Sequence, residues 1–341
     1  MILILSQSAM EPTTEEVMDW LEALGEPCLR LNGGDVDGDA DTELRLRIEG
    51  EEVFLGITAD GVELPLSEVG AVWYRRWLSQ PRHELTSLLA HDPADGDRLH
   101  YDLRRNLAQE SRRLSDFLFS RFAGLPWLSH HRRAGLDKLD ALTRAARAGL
   151  ATPATLVTTE REALRGFCLR HGTVITKPIG EVDMFVEGER SHFLLTAALD
   201  LAAVDALPER FAPSLFQERI EKEYELRVFY LAGECHAMAI FSQADARTRT
   251  DFRDYNRARP NRNVPVRLAA DLEERLRRLM DDLGLETGSI DLLQAADGRE
   301  VFLEVNPVGQ FGMVSKPCNY PLEKKVAELL LRKAADGRRD G

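Results

Sequence analysis

The spacing of apolar and polar residues changes period several times along the chain, and each change marks an element. Met1–Leu5 is an unbroken apolar run of buried-strand length, and Val17, Met18, Leu21 and Leu24 follow at helical spacing in a helix predicted over Thr13–Leu24. Residues 44–57 alternate on either side of Glu49–Glu52, which predicts a hairpin, and Ala71–Trp77 reads as a further strand. The stretch 98–121 is helical in pattern, and Gly124–Pro126 punctuates the end of a first domain.

Beyond that point Leu136–Leu150 is helical, and strands over Thr152–Val157 and Val174–Lys177 flank a helix at Glu160–His171. A helix near 191–201 and a loop bounded by Pro208 and Pro213 come next. Strands at Leu215–Ile220, Leu226–Leu231 and Cys235–Phe241, a helix at 271–283, a hairpin at 288–305 and a terminal helix at 322–333 complete the pattern, which has no internal repeat. The expectation is an α/β protein in three parts, 1–123, 124–212 and 213–341.

Composition narrows the function classes. A length of 341 residues exceeds what one core usually organises, and 44% hydrophobic with 30% charged residues suits a compact enzyme-sized protein. Lys plus Arg number 44 against 57 Asp plus Glu, so the net charge of −13 disfavours nonspecific binding to nucleic acid or anionic membrane. No apolar run reaches membrane-span length and the N-terminus lacks signal-peptide character, so a cytoplasmic protein is expected. Cys28, Cys168, Cys235 and Cys318 lie far apart, as buried free thiols would. Asp35, Asp37, Asp39 and Asp41 imitate a calcium loop, but Ala40 and Leu46 stand where its glycine and glutamate belong. His130–Arg133 reads as a solvated helix start, and Trp73–Trp77 as a strand in core packing and a domain interface.

The chemistry concentrates in the hairpin. Asp297-Gly298 between two apolar runs predicts a two-residue turn with both residues at positive φ. Ala296 would then face Arg299, and counting back along the strands sets Asp291 opposite Glu304, with Asn306 on the same side. Opposed carboxylates repel by roughly 3 kcal/mol at an effective dielectric near 20. A divalent cation relieves this, and oxygen-only ligands suit Mg²⁺, with Mn²⁺ able to replace it. Lys177 ends a buried-looking strand and suits phosphate as a point charge or stands exposed; Lys138 precedes a helix and by itself reads as an exposed surface lysine. The backbone of Phe216–Ile220 offers an edge for adenine, Glu221 or Glu225 an acceptor for ribose, and Arg227 or Arg253 a charge for a transferring phosphoryl group. No Gly-x-Ser-x-Gly, His-Glu-x-x-His or Walker motif is present.

Lys138, Lys177, the Gln217-Glu218-Arg219-Ile220 hinge, Arg227 and the Asp291/Glu304/Asn306 set occur in an order that resembles the ATP-grasp superfamily. Tyr-Glu-Leu-Arg-Val-Phe-Tyr-Leu, Ala-Ile-Phe-Ser-Gln, Asp-Phe-Arg-Asp-Tyr-Asn, Pro-Asn-Arg and Phe-Leu-Glu-Val-Asn-Pro-Val-Gly-Gln-Phe are similar to graspetide maturases, the microviridin-type ligases, and most of all to the grasp-with-spasm group. The resemblance implies an ATP-grasp fold: an N-terminal pre-ATP-grasp α/β domain, a central lid and a C-terminal subdomain. It implies a macrocyclase that phosphorylates Asp or Glu side chains of a ribosomally made precursor peptide, leader plus core, and joins them to Ser/Thr or Lys as ω-esters or ω-amides. Lys138 and Lys177 would hold ATP phosphates, the segment Gln217, Glu218 and Ile220 the adenine, and Glu225 the ribose. Arg227 and Arg253 would face the γ-phosphate or acyl phosphate, and Asp291, Glu304 and Asn306 would bind Mg²⁺, two ions in all; a homodimer is compatible with this. Two rivals stay open: a ligase joining small amino acids or protein termini, and a non-catalytic ATP-binding regulator.

Overall fold

The computed structural model describes residues 1–8, 10–36, 44–56, 63–77, 96–180, 185–187, 190–192, 196–243 and 260–340. They form two compact units, Met1–Ala134 with Pro321–Gly341, and Gly135–Tyr320.

In the first unit, β1 (Ile2–Ser6) is flanked by β2 (Cys28–Asn32) and β6 (Ala71–Tyr74), and β7 (Trp127–Leu128) extends the sheet in the order β2-β1-β6-β7, with every pair parallel. Ile2, Leu3, Ile4 and Leu5 are all fully buried, the pattern of a strand covered on both faces. The expected hairpin is present as β3 (Arg45–Glu49) and β4 (Glu52–Gly56), to which β5 (Leu64–Pro65) adds. The terminal helix, Leu322–Asp340, was expected in the last part of the chain and instead belongs to this unit. Its buried Leu322, Val326, Ala327, Leu330 and Ala334 form a helical stripe that packs on Pro12–Ala23, β1 and β6. Gly337 makes the approach possible, since a Cβ there would stand 2.2 Å from the carbonyl oxygen of Gly70.

Two other features of this unit depart from their sequence reading. His130 and His131 are not a solvated helix start: their rings stack at 4.4 Å, and His131 lies 4.7 Å from Phe119 and 5.0 Å from Trp127. Burial, with His130 and Arg132 adding to it, pushes the His131 imidazole down to about 4. In the run from Trp73 to Trp77, Trp73 is buried as expected, but Arg75 is buried too, held by Glu11 at 3.3 Å.

The second unit holds two sheets. One has the order β12-β9-β13-β8, from β8 (Thr155–Glu160), β9 (Val174–Lys177), β12 (Ala197–Leu199) and β13 (Arg210–Glu218); β10 (Phe185–Glu187) and β11 (Arg190–His192) form a separate hairpin. Among the described residues the helix expected near 191–201 is not found: Ala197–Leu199 pairs with β9, and the helix there is Leu201–Asp205. Pro213, expected in a loop, lies inside β13, at the register shift between Arg210 and Ser214, where a missing N–H costs no ladder bond.

The second sheet runs β16-β15-β14-β17-β18, all antiparallel: β14 (Lys222–Leu231), β15 (Glu234–Phe241), β16 (Arg262–Val266), β17 (Thr287–Ala295) and β18 (Glu300–Asn306). Helices Lys138–Arg147 and Ala270–Leu283 supply Leu142, Ala145, Leu276 and Met280 to a core shared with Leu226, Val228, Ile290, Leu292, Phe302 and Val305. With one face so buried, the other faces of β14, β17 and β18 are available for a site.

Candidate nucleotide and metal site

The turn between β17 and β18 has three residues, not two. Ala295 N–H donates to Arg299 O at 2.8 Å, and of the loop Ala296-Asp297-Gly298 only Gly298 has positive φ, +89°. Ala296 leaves the ladder because its N–H donates instead to Glu221 O at 2.9 Å. The pairing starts one residue out of the expected register, with Gln294 opposite Glu300 and Leu292 opposite Phe302. A bulge at Leu303 then restores it, so that Asp291 does face Glu304 and Ser289 faces Asn306. The bulge also re-phases the strand: Phe302 and Val305 both reach the core, while Leu303 and Glu304 both line a cleft.

That cleft, about 930 Å³ including its open mouth, is lined by Lys177, Gln217, Glu218, Ile220, Glu225, Arg227, Asp291 and Glu304 of the expected residues. Pro153, Ile175, Leu293 and Leu303 give it an apolar wall of the kind a purine ring fills. Lys138 adjoins it through Glu304: Lys138 Nζ and Lys177 Nζ each stand 3.8 Å from Glu304 Oε2, and Lys138 Nζ donates to Gly180 O at 3.0 Å. Arg227, directly across from Asp291 on β14, binds both oxygens of that carboxylate through Nη1. Like charges opposed on neighbouring strands repel, and here three cations offset them.

Asn306 is not a cleft-lining residue, although its strand position puts it on the Glu304 face. Its Oδ1 accepts from Val308 N–H at 3.0 Å, which fixes the side chain and leaves that oxygen a second lone pair. Gly309 sets the turn that follows: a Cβ there would stand 2.5 Å from Cβ and Oγ of Ser289 on β17. Among the described residues no three His, Cys, Asp or Glu side chains form a metal cluster. Two carboxylates and an amide are a donor set for Mg²⁺ that keeps water and phosphate oxygens, rather than for a protein-only cage.

At the hinge, Arg219 N–H donates to Thr173 O at 3.2 Å and Glu221 O accepts from Ala296, while no backbone partner engages Ile220 N–H among the described residues. Glu218 turns its side chain away, Oε1 accepting from Ala154 N–H at 3.1 Å, so only its backbone suits adenine. Gln217 is fully buried and donates to Thr155 Oγ1 at 3.0 Å. Glu225 is buried and paired with Lys222, a residue the sequence analysis passed over. Arg253 and its Asp-Phe-Arg-Asp-Tyr-Asn motif lie outside the described residues, as do Asp37, Asp39 and Asp41.

Comparison with known proteins bears on the fold. Residues 1–133 match the family model described as the MvdD pre-ATP grasp domain. A Chryseobacterium gregarium RiPP-associated ATP-grasp ligase, solved with ADP and a leader and core peptide, aligns with TM-score 0.80 at 23% identity over 97% of this chain and 96% of its own. The macrocyclase MdnC from Microcystis aeruginosa MRC, bound with precursor peptide MdnA, aligns with TM-score 0.76 at 25% identity over 97% and 99%. The ATP-grasp ligase PsnB, complexed with a phosphomimetic precursor variant, Mg and ADP, aligns with TM-score 0.70 at 19% identity over 97% and 98%. The chain has an ATP-grasp fold. Comparison with curated protein sequences finds no match. In this ATP-grasp fold the hinge comes from one sheet of the second unit and the carboxylates from the other, and both line one cleft.

Proposed function

We propose that the protein is an ATP- and Mg²⁺-dependent peptide macrocyclase. The observation that carries the proposal is the opposed pair Asp291 and Glu304, set among Arg227, Lys138 and Lys177 in a cleft with an apolar wall. Lys138 and Lys177 hold phosphates, the backbone around Glu218 and Ile220 meets adenine beside Gln217, and Glu225 accepts from ribose. Asp291, Glu304 and Asn306 would hold Mg²⁺, which would supply neutralising charge to the phosphates. In subdomain terms 1–123 is the pre-ATP-grasp part, 124–212 the lid, and the metal-bearing hairpin belongs to the part that starts at 213.

The chemistry needs positioning and charge more than a protein nucleophile. An Asp or Glu carboxylate of the precursor peptide attacks the γ-phosphorus and ADP leaves. A Ser/Thr hydroxyl or Lys amine then displaces phosphate from the acyl carbon and loses its proton, closing an ω-ester or ω-amide. Arg227 and Arg253 stabilise charge on the transferring group. The three solved relatives, each bound to a peptide or peptide variant, support this substrate class. No described helix is long and apolar enough to cross a membrane, and a ribosomally made substrate favours action in the cytoplasm.

The test is incubation with ATP, Mg²⁺ and the short peptides encoded beside its gene. Loss of one water and release of one ADP per ring supports the macrocyclase. ADP release with free amino acids and no ring would favour a small-substrate ligase, and no ADP release with any of these substrates would favour a regulator.

A further inference from the structure

Lys222 and Glu225 are three residues apart on β14, a spacing that puts side chains on opposite faces of a regular strand. A register shift between Lys222 and Tyr224 cancels the alternation: Lys222 pairs with Ala295, Tyr224 with Gln294 and Glu225 with Leu293. Tyr224 packs on the core beneath the sheet with Leu226 and Val228, while Lys222, Glu225 and Arg227 all turn to the cleft. The side chains of Lys222 and Glu225 are 8% and 7% exposed and joined by an ion pair. A bulge that keeps a buried charge pair in a ligand cleft, where a regular strand would turn Lys222 to the core face beside Tyr224, is the mark of a built feature.

We infer that Lys222 is a positioning residue that holds the Glu225 carboxylate toward the cleft, where it selects a nucleotide bearing a ribose diol. The inference rests on the proposal that nucleotide occupies this cleft. Paired with the ammonium, the carboxylate keeps its charge in a buried place and acts only as an acceptor, which suits donating hydroxyls. Without the ammonium, the carboxylate loses the ion pair that orients it toward the cleft. Lys222 then acts through Glu225, without touching the transferred phosphate.

The experiment measures ADP and 2′,3′-dideoxy-ADP binding by calorimetry on the full-length protein, with Lys222→Met, Lys222→Arg and Glu225→Gln beside the wild type. A charge-assisted hydrogen bond predicts on the order of tenfold or more preference for ADP in the wild type. Lys222→Met and Glu225→Gln lose that preference by weakening ADP alone, Lys222→Arg restores most of it, and in turnover KM for ATP rises while kcat changes little. Equal weakening of both nucleotides in Lys222→Met, or a preference that survives it, overturns the inference. Should Lys222→Met not fold, Lys222→Arg against Glu225→Gln decides: retained preference in the first with loss in the second supports it, and loss or survival in both overturns it. Absence of any ADP binding by the wild type would instead remove the nucleotide proposal beneath it.

Discussion

Replacing Glu304 by Gln separates two roles of one carboxylate. In the ligand-free protein Glu304 Oε2 sits 3.8 Å from both Lys138 and Lys177. Coulomb's law with an effective dielectric near 20 gives about 4 kcal/mol for each contact. The side chains are 24%, 13% and 27% exposed, and 3.8 Å is too long for a hydrogen bond, so about 1 kcal/mol each is a fairer figure. Glu304→Gln should therefore destabilise the free protein by about 1–2 kcal/mol, a fall of a few degrees in the unfolding midpoint at roughly 2–4 °C per kcal/mol. The nucleotide response distinguishes a structural from a metal-binding carboxylate. ADP at a hundredfold excess over its Kd stabilises by about 2.7 kcal/mol, and in the wild type Mg²⁺ should enlarge that shift. In Glu304→Gln the Mg²⁺ increment should shrink, because the lysines remain for phosphate while one of the two carboxylate ligands is gone. Thermal unfolding in the four conditions reads this directly. A full Mg²⁺ increment in the variant would refute the reasoning.

Gly309→Ala places a methyl group 2.5 Å from Ser289 and should cost about 1–3 kcal/mol, with a drop in kcat as the turn holding Asn306 shifts; unchanged urea midpoint and kcat would contradict the packing account. His131 stays neutral in the fold to about 4 against an ordinary value of 6.5, so the unfolded chain binds more protons in that interval. Its contribution is present above pH 6.5 and is lost as pH falls toward 4; with partial exposure it amounts to about 1 kcal/mol, and His131→Phe should flatten that slope in urea titrations. Desolvation, with Glu273 adding to it, pushes the Cys235 thiol up to about 12, so an alkylating reagent at mildly alkaline pH should label it far more slowly in the fold than after unfolding; equal rates in the two states would contradict the raised value.

The hairpin shows how a correct pairing can emerge from two offsetting errors. Asp297-Gly298 signals a tight turn, and the sequence holds no sign that Glu221 draws Ala296 out of the ladder or that Leu303 bulges. Both are tertiary effects, each worth one residue of register, and they cancel at Asp291 and Glu304. Lys222 escaped notice for the same reason: strict alternation sends it away from Glu225, and only the bulge brings it back. The buried strand Ile2–Leu5 was legible because burial on both faces leaves an unbroken apolar run. The terminal helix was legible as a helix but not by its partner, since periodicity gives the stripe and not the surface that covers it.

The central claim is that a peptide carboxylate is activated as an acyl phosphate in the Asp291–Glu304 cleft. The most direct measurement uses a precursor peptide whose Asp and Glu carboxylates carry heavy oxygen, with the isotope followed by mass spectrometry into the products. The account predicts one heavy oxygen in each inorganic phosphate released per ring, and none in ADP. Rings that form with unlabelled phosphate would contradict it.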